Sequence, residues 1–85
     1  MRDIGRLVRL LRNAPVRELM RALERDGFIL RRTGRTGGHV YAHPDGRMTL
    51  IHYHRGSDTL DRKTLSSVLR ATQWTEEDLR RLGLV

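Results

Sequence analysis

The sequence contains no cysteine, which excludes a disulfide framework, a thiolate metal site and thiol redox chemistry. Metal sites built from histidine or carboxylate ligands remain possible. The chain has 85 residues, and a chain of this length buries only about 60 to 65% of its unfolded surface. With 38% apolar and 32% charged residues, the composition predicts a single globular domain of modest stability.

Long apolar segments are also missing. No run of about 18 apolar residues occurs, so no membrane-spanning helix is predicted. The basic start, Met1-Arg2-Asp3, is not followed by the apolar stretch and small-residue cleavage site of a signal peptide. We therefore expect a soluble protein of the cytoplasm that does not bind membranes.

Acidic residues are outnumbered, because 10 of them stand against 17 basic residues and give a net charge of +7. Lys63 is the single lysine, so the other basic residues are all arginine. The planar arginine fork matches phosphate bidentately, and a small basic domain therefore suggests a nucleic acid, an acidic protein or an anionic surface as partner. A GC-rich genome that replaces lysine with arginine on an ordinary solvated surface is the alternative interpretation.

Apolar residues at helical spacing predict two helices in the first third of the chain. The first begins after Asp3, a plausible N-cap, and contains Ile4, Leu7, Val8 and Leu11. Pro15 interrupts this pattern and suits the start of the second helix, which Gly27 ends. The second helix contains Val16, Leu19, Met20 and Leu23 at the same spacing.

Three strands are predicted next. Phe28-Ile29-Leu30 is short and apolar, as in a buried strand, and a flexible basic loop with three glycines follows it. Residues 39–43 and 48–54 alternate around Asp45-Gly46, a strong signal for a hairpin with a two-residue turn.

This turn predicts the register of the hairpin and the residues on each sheet face. His39 is expected opposite His52 and Tyr41 opposite Leu50. One face should then carry Val40, Ala42, Thr49, Ile51 and Tyr53 toward the helices, and the other should carry His39, Tyr41, His43, Leu50, His52 and His54.

Two further helices are predicted at the C-terminal end. The first follows Asp61 and contains Leu65, Val68 and Leu69, and the second follows a capping-box pattern at Thr75. The element order is therefore α-α-β-β-β-α-α. We predict an α+β fold, a two-layer sandwich of a three-stranded antiparallel sheet with helices on one face, preceded by an extra N-terminal helix.

Several motifs together resemble the HicA-type toxins, messenger-RNA interferases of HicA–HicB toxin–antitoxin systems. They are Gly27-Phe28 after an amphipathic helix, Gly37-Gly38-His39-Val40-Tyr41, His43-Pro44-Asp45-Gly46-Arg47, an apolar strand ending in His54, and Leu60-x-x-x-Thr64-Leu65-x-x-Val68-Leu69. The resemblance covers about residues 16–82 and implies a fold similar to a double-stranded RNA-binding domain. It divides the chain into an N-terminal helical extension, residues 1–14, and a HicA-like domain, residues 15–85.

The resemblance also implies an activity and a partner. His39 occupies the position of the family's catalytic histidine, two residues after Gly37, and His54 matches the histidine that ends the third strand. Gly38 stands where the family more often has serine, and His52 where it usually has proline. The expected function is that of a metal-independent endoribonuclease that cleaves mRNA without a cofactor and is neutralised by a HicB-like antitoxin, with the oligomeric state left open.

RNA can be cleaved without a metal because its own 2′-hydroxyl is a nucleophile beside the phosphate. Free imidazole titrates at a pKa of about 6.5, so His39 suits a general base or acid. The other residues expected to contact RNA are Arg31, Arg32, Arg35 and Lys63 at phosphates, Tyr41 as a stacking surface for a base, and Gly37, Gly38 and His54 near the catalytic position.

Three other interpretations remain at this stage. In the predicted register His39, His52 and His54 form a three-nitrogen set of the kind seen in zinc enzymes. A non-catalytic RNA-binding module of the same fold accounts equally for the charge and the open sheet face. A pure interaction protein would use the basic surface for an acidic partner.

Overall fold

The computed structural model describes residues 3–85 and has the predicted α+β architecture. Its elements are α1 (Ile4–Leu11), α2 (Val16–Asp26), β1 (Ile29–Thr33), β2 (Gly38–Ala42), β3 (Met48–His52), α3 (Arg62–Thr72) and α4 (Glu76–Arg81). The predicted element order is confirmed, and residues 1 and 2 of the predicted extension lie outside the described part. Between residues 3 and 85, every helix is too short or too polar to cross a bilayer.

Side chains predicted to cap the helices do so. The Asp3 carboxylate accepts the backbone N–H of Arg6 at 3.1 Å, and Asp61 accepts that of Thr64 at 2.7 Å. Thr75 and Asp78 form a reciprocal capping box at the start of α4. These bonds satisfy amides that have no partner within a helix, so three of the four helix starts are encoded locally.

The start of α2 is satisfied differently, by the loop that joins β3 to α3. Pro15 is its N-cap and has no capping side chain. Instead the N–H groups of Val16 and Arg17 donate to the carbonyls of Asp58, at 2.7 Å, and Gly56, at 3.0 Å. These backbone bonds fix the β3–α3 loop against α2.

The sheet has the strand order β1-β2-β3, and all its pairings are antiparallel. Helices cover one face of it, and α1 packs against α3. Three residues of α1, Leu7, Val8 and Leu11, are buried in the same core as α2, α3 and the sheet. The largest buried side chain, Trp74, lies between α3 and α4 in the chain and completes this core.

The predicted hairpin register is wrong by one residue. His39 pairs with Ile51, and Tyr41 pairs with Thr49. The reason is the turn: the His43 N–H donates to the Arg47 carbonyl at 2.8 Å, so the loop contains three residues and ends with Gly46 at a φ of +102°. Three-residue hairpin loops place a left-handed residue at this position.

The one-residue difference exchanges the two faces of β2, because side chains alternate along a strand. His39 and Tyr41 lie on the helix-covered side with Thr49 and Ile51, where the prediction placed them on the open side. The face assignment of β3 itself is confirmed, since Thr49 and Ile51 are buried while Met48, Leu50 and His52 are exposed.

The first strand is not the buried strand that its apolar sequence predicts. It forms an edge of the sheet, and Ile29 and Leu30 are 51% and 45% exposed. Phe28, just before the strand, is the residue that enters the core, with 2% exposure. β3 is also an edge strand, but α3 packs against it, whereas the main contacts of β1 are with β2, so no helix within residues 3–85 covers β1 in the same way.

An ion-pair network surrounds Asp26 at the end of α2 near the hairpin turn. The carboxylate accepts from the Trp74 indole at 2.9 Å, from Arg81 at 2.9 Å and from Arg47 at 3.1 Å. Burial alone would raise the pKa of Asp26, but the hydrogen bonds from Trp74 and Arg81 and the charges of Arg47 and Arg81 outweigh it, so the pKa lies below its ordinary value.

Replacing Asp26 with asparagine should lower the free energy of unfolding by about 1–3 kcal/mol at pH 7. The reason is that Arg47 and Arg81 lose the part-buried carboxylate with which they form ion pairs. A carboxyl with a depressed folded-state pKa stabilises above its unfolded pKa, and that contribution is lost as the pH falls through the folded value. Urea denaturation of both proteins should therefore show a difference that shrinks below about pH 4.

The exposed Glu77, which forms no ion pair within residues 3–85, provides the matched control. Glu77→Gln, on α4, also removes one negative charge, and it should change the unfolding free energy by less than about 0.5 kcal/mol. A constant difference between Asp26→Asn and the original chain from pH 7 to pH 2 would contradict the linkage.

Candidate active site

The loop between β1 and β2 brings a glycine carbonyl to the start of β2. The Gly34 N–H donates to the Gly38 carbonyl at 2.7 Å and closes the loop. Gly37 has a φ of +90°, in the left-handed region that favours glycine. A Cβ on Gly37 would also lie inside van der Waals contact with the Tyr53 carbonyl oxygen. This position therefore requires glycine on two grounds.

The His39 ring is held by that carbonyl and by an aromatic neighbour. Its Nδ1 lies 2.8 Å from the Gly37 carbonyl oxygen. Its ring stacks on the Tyr53 ring with centroids 4.3 Å apart and an angle of 23° between the planes. A carbonyl only accepts hydrogen bonds, so Nδ1 carries the proton and, in the neutral ring, Nε2 keeps a free lone pair. The half-buried imidazole is thus oriented with Nε2 available to accept a proton.

Tyr53 is a residue of this site that the sequence analysis did not identify. Besides stacking on His39, it donates its backbone N–H to the same Gly37 carbonyl at 3.1 Å. It stands two positions beyond Ile51, the pairing partner of His39, and so is a diagonal neighbour of His39 across the strands. Only the three-residue hairpin loop gives this relation, and Asp45-Gly46 does not distinguish it from a two-residue loop.

His54 lies beside Gly37. Its Nδ1 is 3.4 Å from the point that a Cβ of Gly37 would occupy, and its side chain is exposed. The backbone N–H groups of His54 and Arg55 donate to the Asp58 carboxylate at 3.4 Å and 3.0 Å. Since the Asp58 carbonyl is bonded to the start of α2, this segment is anchored to the helical layer. His39 and His54 thus each lie beside Gly37, and their roles at a site remain predictions.

The predicted basic residues are distributed more widely. Arg35 is exposed on the loop that carries Gly37, and Arg31 is exposed at an irregularity in β1. Arg32 pairs with Val40, so it lies on the open face of the sheet, whereas His39 lies on the face toward the helices. Lys63 is exposed on the first turn of α3, and no contact joins it to His39 in the described part of the chain.

Two predicted contacts with RNA are wrong. Tyr41 is 2% exposed, because the true register turns it toward the helices, and burial raises the pKa of its hydroxyl. It has no free ring surface on which a base can stack. Gly38 is also buried, since the ring of its cross-strand partner His52 covers it: a Cβ on Gly38 would lie 3.1 Å from the His52 Nε2.

The three-histidine metal site considered above is also wrong. His52 lies on the open face with Gly38, whereas His39 lies on the face toward the helices. Their imidazoles therefore point to opposite sides of the sheet and cannot share an ion. Over residues 3–85, no three side chains of histidine, cysteine, aspartate or glutamate are grouped closely enough to bind a metal ion.

Comparison with protein families gives one match. The model of the HicA toxin of bacterial toxin–antitoxin systems matches residues 16–74, which is more than half of the chain. None of the curated proteins compared with the chain matches it. The matched range contains Gly37, His39, Tyr53 and His54, while α1 and α4 lie outside it.

Proposed function

Because the chain belongs to the HicA toxin family of bacterial toxin–antitoxin systems, we propose that it is a metal-independent endoribonuclease that cleaves messenger RNA. In this proposal His39 is the acid–base residue, a HicB-like antitoxin is the inhibitor, and the protein acts in the cytoplasm. Family membership implies an antitoxin partner of some kind. The HicA-like domain is residues 15–85, and residues 1–14 extend it.

The observation that carries the proposal is the orientation of His39. The Gly37 carbonyl fixes the proton on Nδ1, and the stack on Tyr53 fixes the plane of the ring. In the proposed mechanism Nε2 removes the proton from a 2′-hydroxyl as that oxygen attacks the adjacent phosphorus. Attack forms the bond from O2′ to phosphorus and breaks the bond to the 5′-oxygen, which takes a proton from water while His39 returns its proton to the solvent. The products are a 2′,3′-cyclic phosphate and a 5′-hydroxyl.

Exposed cations near the site support an RNA substrate. Arg35, on the loop before Gly37, and Arg55, directly after His54, form no ion pair within the described residues. Guanidinium groups bind phosphate through two parallel hydrogen bonds, and developing negative charge on the pentacoordinate phosphorus is stabilised by such donors. His54, beside Gly37, adds a further donor at the same place.

The test is incubation of the chain with a long single-stranded RNA in excess chelator. We expect cleavage that persists in chelator, products ending in 2′,3′-cyclic phosphate, and no cleavage of DNA of the same sequence. An RNA carrying one 2′-deoxynucleotide at a mapped cleavage position should resist cleavage there and nowhere else, because only that nucleophile is removed.

Each contrary result has a distinct meaning. Cleavage abolished by chelator would contradict a metal-independent mechanism. Retained RNA binding without cleavage under any condition would replace the enzyme with a non-catalytic RNA-binding module. Cleavage at the 2′-deoxynucleotide would exclude attack by the 2′-hydroxyl.

A further inference from the structure

A groove of about 810 Å³ lies between α1 and the start of α3, in a part of the molecule that the proposed activity does not use. We name it the α1–α3 groove. One of its walls is α1, which lies outside the residues matched by the family. Its volume is within the range of about 300–1,000 Å³ that is typical of ligand sites.

The groove has an apolar floor and a cationic rim. Val8, Leu60 and Leu65 form the floor, and their exposed fractions of 4%, 8% and 1% leave only narrow strips of apolar surface open to a ligand. The rim carries Arg9, Arg12 and Arg62, which are exposed and form no ion pair with any carboxylate among residues 3–85. Three unpaired guanidinium groups around an apolar concavity suit a ligand that has an apolar part and a negative charge.

One carboxylate, that of Asp61, also lines the groove. It is occupied as the N-cap of α3, where it accepts the Thr64 N–H at 2.7 Å. Hydrogen bonds from the Thr64 side chain and backbone hold the pKa of Asp61 below its ordinary value, so it is ionised at neutral pH. Three arginines against this one aspartate leave the groove positively charged.

Gly5 keeps the groove open at its α1 wall. It lies within a helix of 8 residues, where glycine costs about 1 kcal/mol relative to alanine. The backbone does not require glycine here: a Cβ would meet only Asp3 Oδ1 at 3.5 Å and an Arg9 nitrogen at 3.7 Å, which are ordinary contacts. What a larger side chain would change is the space in the groove.

The cationic surface continues from the groove along α3. Arg62 lines both the groove and a neighbouring shallow depression, whose other residues are Lys63, Ser66, Ser67 and Arg70. Arginine, lysine and serine side chains are among the donors that contact the phosphates of a nucleic-acid strand. This continuity favours an extended polyanion over a single small anion.

We propose that the α1–α3 groove binds a segment of single-stranded RNA, with a base in the space of the groove and its phosphates at Arg9, Arg12 and Arg62. The inference rests on the proposed function, because the ligand is a strand of the same RNA. It gives α1 a specific role: this helix adds a binding surface for RNA outside the site around His39.

The test measures affinity for a fluorescent 2′-O-methyl oligouridine, which lacks the attacking hydroxyl and so is not cleaved. Gly5→Leu should weaken binding about three- to tenfold by filling the groove, while the Tm stays equal or rises because leucine is the better helix former. Arg12→Gln should lower the slope of log K against log salt by about 0.7, the value for one phosphate contact on a single strand.

Arg80→Gln is the matched control for the lost charge. Arg80 is exposed on α4, outside the groove, and its partner Glu76 also binds Arg6. This variant should keep both the affinity and the salt slope of the original chain. Poly-glutamate serves as a second anionic probe, and its binding should not depend on Gly5.

Unchanged oligouridine affinity in Gly5→Leu and Arg12→Gln, with RNA cleavage intact, would overturn the groove proposal and leave the proposed function standing. Equal weakening of oligouridine and poly-glutamate by Gly5→Leu would overturn RNA as the ligand. If the original chain neither bound nor cleaved RNA, the proposed function itself would fail.

Discussion

Replacing His39 with alanine should lower the rate of RNA cleavage by about 10²–10⁴-fold, the usual contribution of a positioned acid–base group. Affinity for the uncleavable oligouridine should change little, because the cations that contact phosphate remain. The measurement is single-turnover cleavage of a defined RNA together with binding. Loss confined to the chemical step would identify His39 as a residue that acts on protons and not as a residue that holds RNA.

His52→Ala is the matched control for this prediction. His52 is also a strand histidine, but it lies on the open face over Gly38, away from the Gly37 carbonyl. Its variant should keep the cleavage rate, and circular dichroism should show that both variants are folded. Equal loss of activity in the two variants would indicate a general disturbance of the sheet and contradict a specific role for His39.

Replacing Gly37 with alanine should destabilise the protein by about 3 kcal/mol and lower the Tm by roughly 10–20 °C. Two costs combine here: a side chain at a φ of +90°, and a Cβ that would overlap the Tyr53 carbonyl oxygen. Relief of the overlap must move the Gly37 carbonyl or β3, so the orientation of His39 should be lost as well. Thermal melts and single-turnover cleavage measure the two effects.

Gly46→Ala separates these two costs. Gly46 has a φ of +102°, similar to that of Gly37, but no atom lies within 4 Å of the position of its Cβ. This variant should lose only about 1 kcal/mol and keep its activity. If both glycine variants lost the same stability and both remained active, the close approach of Tyr53 to Gly37 would have no functional meaning.

The element order and most helix ends were predictable because their signals are local. Asp3, Asp61 and Thr75 bond to amides three residues away, and Gly27 ends α2 with a φ of +102°, so short stretches of sequence determine these features. The position of His39 near a glycine loop was predictable from the family resemblance.

The surroundings of His39 were not predictable, because they depend on the register of the hairpin. Asp45-Gly46 is compatible with loops of two or three residues. The loop length decides whether the cross-strand partner of His39 is Ile51 or His52. The three-residue loop places His39 beside Tyr53 and buries Tyr41. Sequence alternation could not show that β1 is an edge either, since strand order is a property of the whole sheet.

The two ends of β2 differ in how their charges are compensated, so positive charge is left unbalanced at one end only. The hairpin turn end holds the carboxylates of Asp26 and Asp45 in ion pairs, whereas the end with Arg35 and Arg55 holds cations without carboxylate partners within residues 3–85. The ends are separated by a strand of five residues, or about 17 Å. A polyanion approaching by diffusion is therefore attracted to the end that carries His39, so productive encounters at low ionic strength should outnumber those of a uniformly charged protein.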